Sequence, residues 1–159
     1  MTFKKHCGER YLSYDDFVEE ALCFGWIDGQ PRKLDADRTM QYLCPRRPGS
    51  PWSGLNKRRI AQLQAAGLMT PAGQALIDRA KQDGSWTLLD DVEALIVPDD
   101  LAAALDAIPG AAAGFEGFSK TAKRGLLWWI KSAKRAATRA QRIDKTARGA
   151  AVGAVANQP

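Results

Sequence analysis

Phe17, Val18, Ala21, Leu22 and Phe24 recur at helical spacing and share one apolar face. Ser13, opening the stretch "SYDD", can accept from the backbone near Asp16 as an N-cap. Gly25 supplies a stop, so the pattern predicts a helix over 14–24. The period then shortens. Met40, Tyr42 and Cys44 fall on one side of an extended segment, and Thr39, Gln41 and Leu43 on the other. With 30–34 as one arm, Asp35-Ala36-Asp37 as the turn and 38–45 as the second arm, this predicts a hairpin. Pro31 cannot donate to a ladder and suits an edge. "TFKK" at 2–5 offers a third strand. So few strands need helices over one face.

The rest of the chain reads as helical. "PRRPGSPWS" (45–53), with three prolines and a glycine, is a rigid loop. Ser53 can cap a helix to about Gly67, with Leu55, Ile60 and Leu63 inward. Thr70-Pro71 is an N-cap followed by proline at the first helical position, opening a helix to about Gln82. Residues 83–98 show little periodicity and read as a connector. Pro98-Asp99-Asp100 opens a short helix to Ala107, and Pro109 another to about Phe115. Ser119 caps a last helical region over 120–148. The expected fold is α+β and predominantly helical: a small antiparallel hairpin or three-stranded sheet packed with helices, followed by a helical C-terminal module. The expected division is 1–97, then 98–148 packed on it as a subdomain, then a frayed tail over 149–159.

Charge changes this picture more than composition does. The 159 residues are 45% apolar and 26% charged, ordinary for a globular chain. No window reaches the roughly 18 uninterrupted apolar residues that a membrane span needs. "MTFKKHCGER" has no apolar signal core, and three cysteines without CxxC spacing read as reduced thiols, so the expected location is cytoplasmic. The net charge of +5 is unevenly spread. Residues 1–119 hold 13 Lys/Arg and 17 Asp/Glu, whereas residues 120–159 hold 10 Lys/Arg and a single acid, Asp144. Between Gln82 and Ser119 there are eight acids and no cation. An acidic block therefore precedes a basic one.

Five stretches carry a resemblance. "EEALCFGWIDG" (19–29), "PRRPGSPWS" (45–53), "MTPAG" (69–73), "VPDDLAAAL" (97–105) and "WIKSAKRAATRAQRI" (129–143) occur in the order found in the YdeI/OmpD-associated, or bacteriocin-protection, family. The resemblance runs over roughly residues 3–148. It implies a helical C-terminal module from about Pro98 and a link to tolerance of antimicrobial peptides and envelope stress. It supplies no catalytic residues. Members usually begin with a further helix and strand, whereas this chain starts inside that strand. They also often carry Pro where this chain has Ala136.

Three groups of residues are candidates for chemistry. Trp26, Asp28, Arg46, Arg47 and Trp52 flank the hairpin and its exit loop. If the base of the hairpin brings 26–30 near 45–52, two indoles, a carboxylate and two guanidiniums could line a recess for a small anionic ligand. The alternative is that both indoles pack in the core and Asp28 caps the turn or pairs with Arg46. His6 and Cys7, taken as strand neighbours, would point to opposite faces. With no other histidine, they predict neither a dyad nor a metal site, and the thiols read as structural.

The third group is basic. Lys120, Lys123, Arg124, Lys131, Lys134, Arg135, Arg142 and Lys145 fall within an arc of roughly 120° on a continuous helix. Leu126, Trp129, Ile130 and Ala133 lie broadly opposite. This cationic stripe is a solvated face neutralised by the 83–116 acids, a weak nucleic-acid contact, or a membrane-surface contact. No catalytic residue, metal or cofactor is implied. The expectation is a non-enzymatic binding or stress-tolerance protein with a protein or small anionic partner. Cationic peptides would be repelled by a basic chain except at the acidic block.

Overall fold

The computed structural model describes residues 1–156 and is α+β with helix dominant. The chain forms two compact units, Met1–Leu88 and Leu89–Pro159, each with its own hydrophobic cluster.

In the first unit, β1 (Thr2–Phe3) leads through a 3-10 segment, Lys5–Arg10, to α1 (Tyr14–Cys23). The Ser13 hydroxyl accepts from the Asp16 N–H at 3.1 Å, and Gly25 takes φ 73°, the left-handed conformation that ends α1 cheaply only for glycine. Four short strands follow: β2 (Trp26–Asp28), β3 (Arg32–Lys33), β4 (Arg38–Met40) and β5 (Leu43–Pro45). They make a three-stranded antiparallel sheet in the order β1-β4-β3 and a two-stranded ladder of β2 with β5. The expected hairpin and its third strand are present. Its second arm is split at Gln41-Tyr42, and the periodicity did not reveal β2.

Helices α2 (Gly54–Ala65) and α3 (Pro71–Gln82) complete the unit. Ser53 and Thr70 cap them, each accepting a backbone N–H three residues on. Ile60 and Leu63 are buried as expected, but Leu55 is 50% exposed. It lies in the first turn of α2, a helix turn before Ile60 brings the apolar face onto the core. The core gathers Val18, Leu22, Trp52, Ile60, Leu63 and Ile77. Trp86, in the stretch read as a connector, packs against Trp52 with ring centroids 5.3 Å apart.

The second unit is helical: α4 (Asp90–Glu93), α5 (Asp99–Asp106), α6 (Ala111–Glu116), α7 (Lys120–Lys131) and α8 (Ala136–Ala151). The helical region expected over 120–148 is two helices, broken at Ser132–Arg135. The reason lies in packing. Leu126, Leu127 and Ile130 from α7 and Ile143, Ala147 and Ala150 from α8 all enter one core with Leu101, Leu105 and Phe115. A straight rod could not turn both apolar faces onto that core. The Arg142 guanidinium donates to the Trp129 carbonyl and, at 3.1 Å, to the Ser132 hydroxyl. It thereby caps the end of α7 from α8. The tail read as frayed from 149 instead continues α8 to Ala151, with Ala150 1% exposed. Residues 157–159 of that tail lie outside the described residues.

Candidate functional site

The five residues flanking the hairpin go to different places. Register sets Trp26 opposite Pro45 and Asp28 opposite Leu43, so the base closes as predicted. Yet Trp52 is 2% exposed inside the core, while Trp26 is 40% exposed. Asp28 accepts from the Tyr14 hydroxyl at 2.6 Å and from Gln41 at 3.4 Å, not from an arginine. That bond to Asp28 raises the Tyr14 pKa above the ordinary phenol value.

Arg46 is buried at 6% exposure with its guanidinium stacked 3.7 Å from the Trp52 ring centroid. Its Nη2 donates to the Pro51 carbonyl, while Nε and Nη1 have no hydrogen-bond partner. Burial pulls its pKa down to about 10, which leaves it charged at neutral pH. Arg46, Arg47 and Trp52 border a crevice of only about 10 Å³, which Arg79, Asp83 and Ser85 also line. Trp26 and Trp52 thus share no recess: the Trp26 ring on β2 is partly exposed, whereas the loop carries Trp52 into the core beside Ile60 and Leu63 of α2.

Trp26 lines a larger groove of about 690 Å³ within the first unit. Leu12, Phe17, Ala21, Phe24, Trp26 and Leu43 form its apolar walls, and its charged lining residues are Asp16 and Glu20. Both acids lie on α1, one turn apart, on the edge beside the apolar stripe. Asp16 also accepts from the Ser13 hydroxyl at 2.6 Å. Phe24 is 48% and Leu12 43% exposed, so the groove is open. The sequence held a signal for it: Phe24 carries the apolar helical face past the end of α1, to a position that stays 48% exposed.

His6 and Cys7 are not strand neighbours. They lie in the Lys5–Arg10 3-10 segment, and both reach the turn before β4. His6 Nε2 is 3.0 Å from Asp37 Oδ1, and Cys7 Sγ is 3.6 Å from the Asp37 carbonyl oxygen. Cys7, Cys23 and Cys44 are free thiols. Burial, then Glu20 and Glu19, push the Cys23 thiol up.

The cationic stripe is interrupted by the break between α7 and α8 and partly neutralised. Lys123 pairs with Glu116 at 2.6 Å, Lys131 with Asp91 at 2.6 Å, and Arg139 with Asp100 at 2.6 Å. Arg142 lies 5.2 Å from the Trp129 ring centroid. Lys120, Arg124, Lys134, Arg135 and Lys145 are exposed. The acids of the block at 83–116 therefore serve three of these cations, Arg139 being one that the helical arc had left out.

Comparison with known families divides the chain in a related way. Residues 94–153 match the family described as "Bacteriocin-protection, YdeI or OmpD-Associated". Residues 1–76 match a domain of unknown function (DUF8412), so the N-terminal motifs of the resemblance fall under a different family description. No curated protein and no solved structure matches significantly. No helix among the described residues is long and apolar enough to cross a membrane.

Proposed function

We propose that this chain, whose residues 94–153 carry a YdeI/OmpD-associated domain, is a non-enzymatic binding protein that holds cationic amphipathic peptides in the groove of its first unit. One observation carries this reading: an open apolar groove whose charged lining residues are both carboxylates. Net charge argued against such ligands, but binding responds to the local field. Exposed charges are screened beyond about 10 Å at ordinary salt, so the carboxylates that line the groove itself, Asp16 and Glu20, set the field a ligand meets there. Apolar burial supplies roughly 25 cal/mol per Å² of surface covered, and the carboxylates select a basic residue beside it. Peptide tolerance, which the family description implies, would follow from sequestration. Three unpaired cysteines favour the cytoplasm as its place.

Calorimetric titration with a synthetic Leu/Lys amphipathic helix tests this. Trp26→Ala and Phe24→Ala, at exposed positions, should weaken binding about tenfold or more with an unchanged melting temperature. Asp16→Asn with Glu20→Gln should flatten its salt dependence. Wild-type affinity in all these variants overturns the reading.

A second reading rests on Arg46. A buried guanidinium with two unpartnered nitrogens, Nε and Nη1, is costly, and Arg47 and Arg79 line the same crevice. The crevice has room for a water-sized guest only, and a chloride ion seated there would relieve that cost. Thermal melting in chloride should then exceed that in acetate at constant ionic strength, and Arg79→Ala should abolish the difference. Identical melting in the two salts removes this reading.

A further inference from the structure

We infer that His6, Cys7 and Asp37 form a binding site for a divalent first-row transition metal of the zinc type. The imidazole nitrogen, the thiol sulfur and a carboxylate oxygen all lie within 4.8 Å of one another. Tetrahedral zinc, with bonds of about 2.0–2.3 Å, needs its ligand atoms roughly 3.3–3.8 Å apart. Rotation of the three side chains has to close a gap of about 1–1.5 Å at most.

The backbone already fixes both halves of the site. Thr2 pairs with Thr39 and Phe3 with Arg38. The Lys4 N–H donates to the Asp37 carbonyl at 2.8 Å, and the Cys7 N–H to the Lys4 carbonyl at 2.9 Å. The 3-10 segment is thereby clamped over the turn that carries Asp37. Nearby cations are engaged elsewhere. Lys4 Nζ donates to the Asp35 and Ala36 carbonyls at 2.6 and 2.8 Å, and Arg38 pairs with Asp35 at 2.6 Å. Neither ties up the Asp37 carboxylate.

The donor types choose the metal. One thiolate, one imidazole and one carboxylate suit zinc, cobalt or nickel, whereas magnesium and calcium want oxygen alone. His6 and Asp37 side chains are 58% and 60% exposed, so a fourth position faces solvent and would hold water. The ordinary alternative is a surface His–Asp hydrogen bond with an idle thiol beside it.

Cobalt(II) titration of the reduced full-length protein separates the two. One equivalent should bind and give a near-ultraviolet thiolate-to-cobalt band, which zinc then bleaches. Cys7→Ser should remove the band, while a Cys44→Ser variant keeps it. His6→Ala and Asp37→Asn should each weaken binding about tenfold or more, the scale on which even outer supports of a metal ligand act. The apo melting temperature of each variant shows that the fold persists. Absence of the band in the wild-type protein, or a band that survives Cys7→Ser, overturns the site.

Discussion

Gly114 of α6 lies against the backbone carbonyl of Ala150 in α8, so closely that a Cβ added at Gly114 would overlap it. The two helices meet main chain to main chain. Gly114→Ala would push them apart or strain them, and overpacking of this kind costs about 1–3 kcal/mol. Urea denaturation followed by far-ultraviolet circular dichroism should show an earlier midpoint for the helical transition.

Thr70 has two tasks. Its hydroxyl accepts from the Gly73 N–H at 3.3 Å as the cap of α3, and donates to the Cys23 carbonyl at 2.5 Å at the end of α1. Thr70→Ala should cost about 1–2 kcal/mol, the upper range for a lost cap. Thr70→Ser, which keeps the oxygen, should recover most of it in the same melts.

The Arg139 guanidinium holds the Asp100 carboxyl below its usual range, with partial burial opposing it. At Asp91 partial burial pushes upward, but the Lys131 ammonium and the Val92 N–H prevail and the pKa is again lowered. A carboxylate whose folded pKa is depressed stabilises above its unfolded value, near 4, and that stability is lost as pH falls through the folded pKa. Acid melting curves should therefore lose stability below about pH 4. Asp100→Asn should show a shallower loss there and only a small deficit at pH 7, because the pair is about half exposed and such pairs are worth about 0–1 kcal/mol.

Ala136 begins α8 just after Arg135, whose φ of −118° and ψ of 139° are extended. That is the backbone a residue before proline adopts, and the first helical position tolerates proline. Ala136→Pro should stabilise by about 0.4–1 kcal/mol, through a less flexible unfolded chain. Thermal melting should move upward; a fall would mean that the α7–α8 turn is held differently.

Capping chemistry made the helices legible. Ser13, Ser53, Thr70 and Ser119 each sit where a hydroxyl precedes an apolar run, and each accepts the expected N–H. The break after α7 was only weakly marked, because "SAKR" holds neither glycine nor proline, Ala136 stands where members of the resembled family often carry Pro, and the turn is imposed by a core formed across distant residues. The recess proposed around Trp26 and Trp52 met the same limit. The approach of 26–30 to 45–52 could be anticipated, but the side each indole faces depends on the strand's register and on the path of an irregular loop. His6 and Cys7 were separated only by being taken as strand. A single 3-10 turn brought both to Asp37.

Residues 120–151 change direction only because a shared interior demands it, with Arg142 fastening the corner. Cut out as a synthetic fragment in a helix-promoting solvent, this stretch has no reason to bend, and would straighten into one rod of about 48 Å. The cations of the stripe would then line up along a single ridge, an arrangement that the intact protein keeps folded in two.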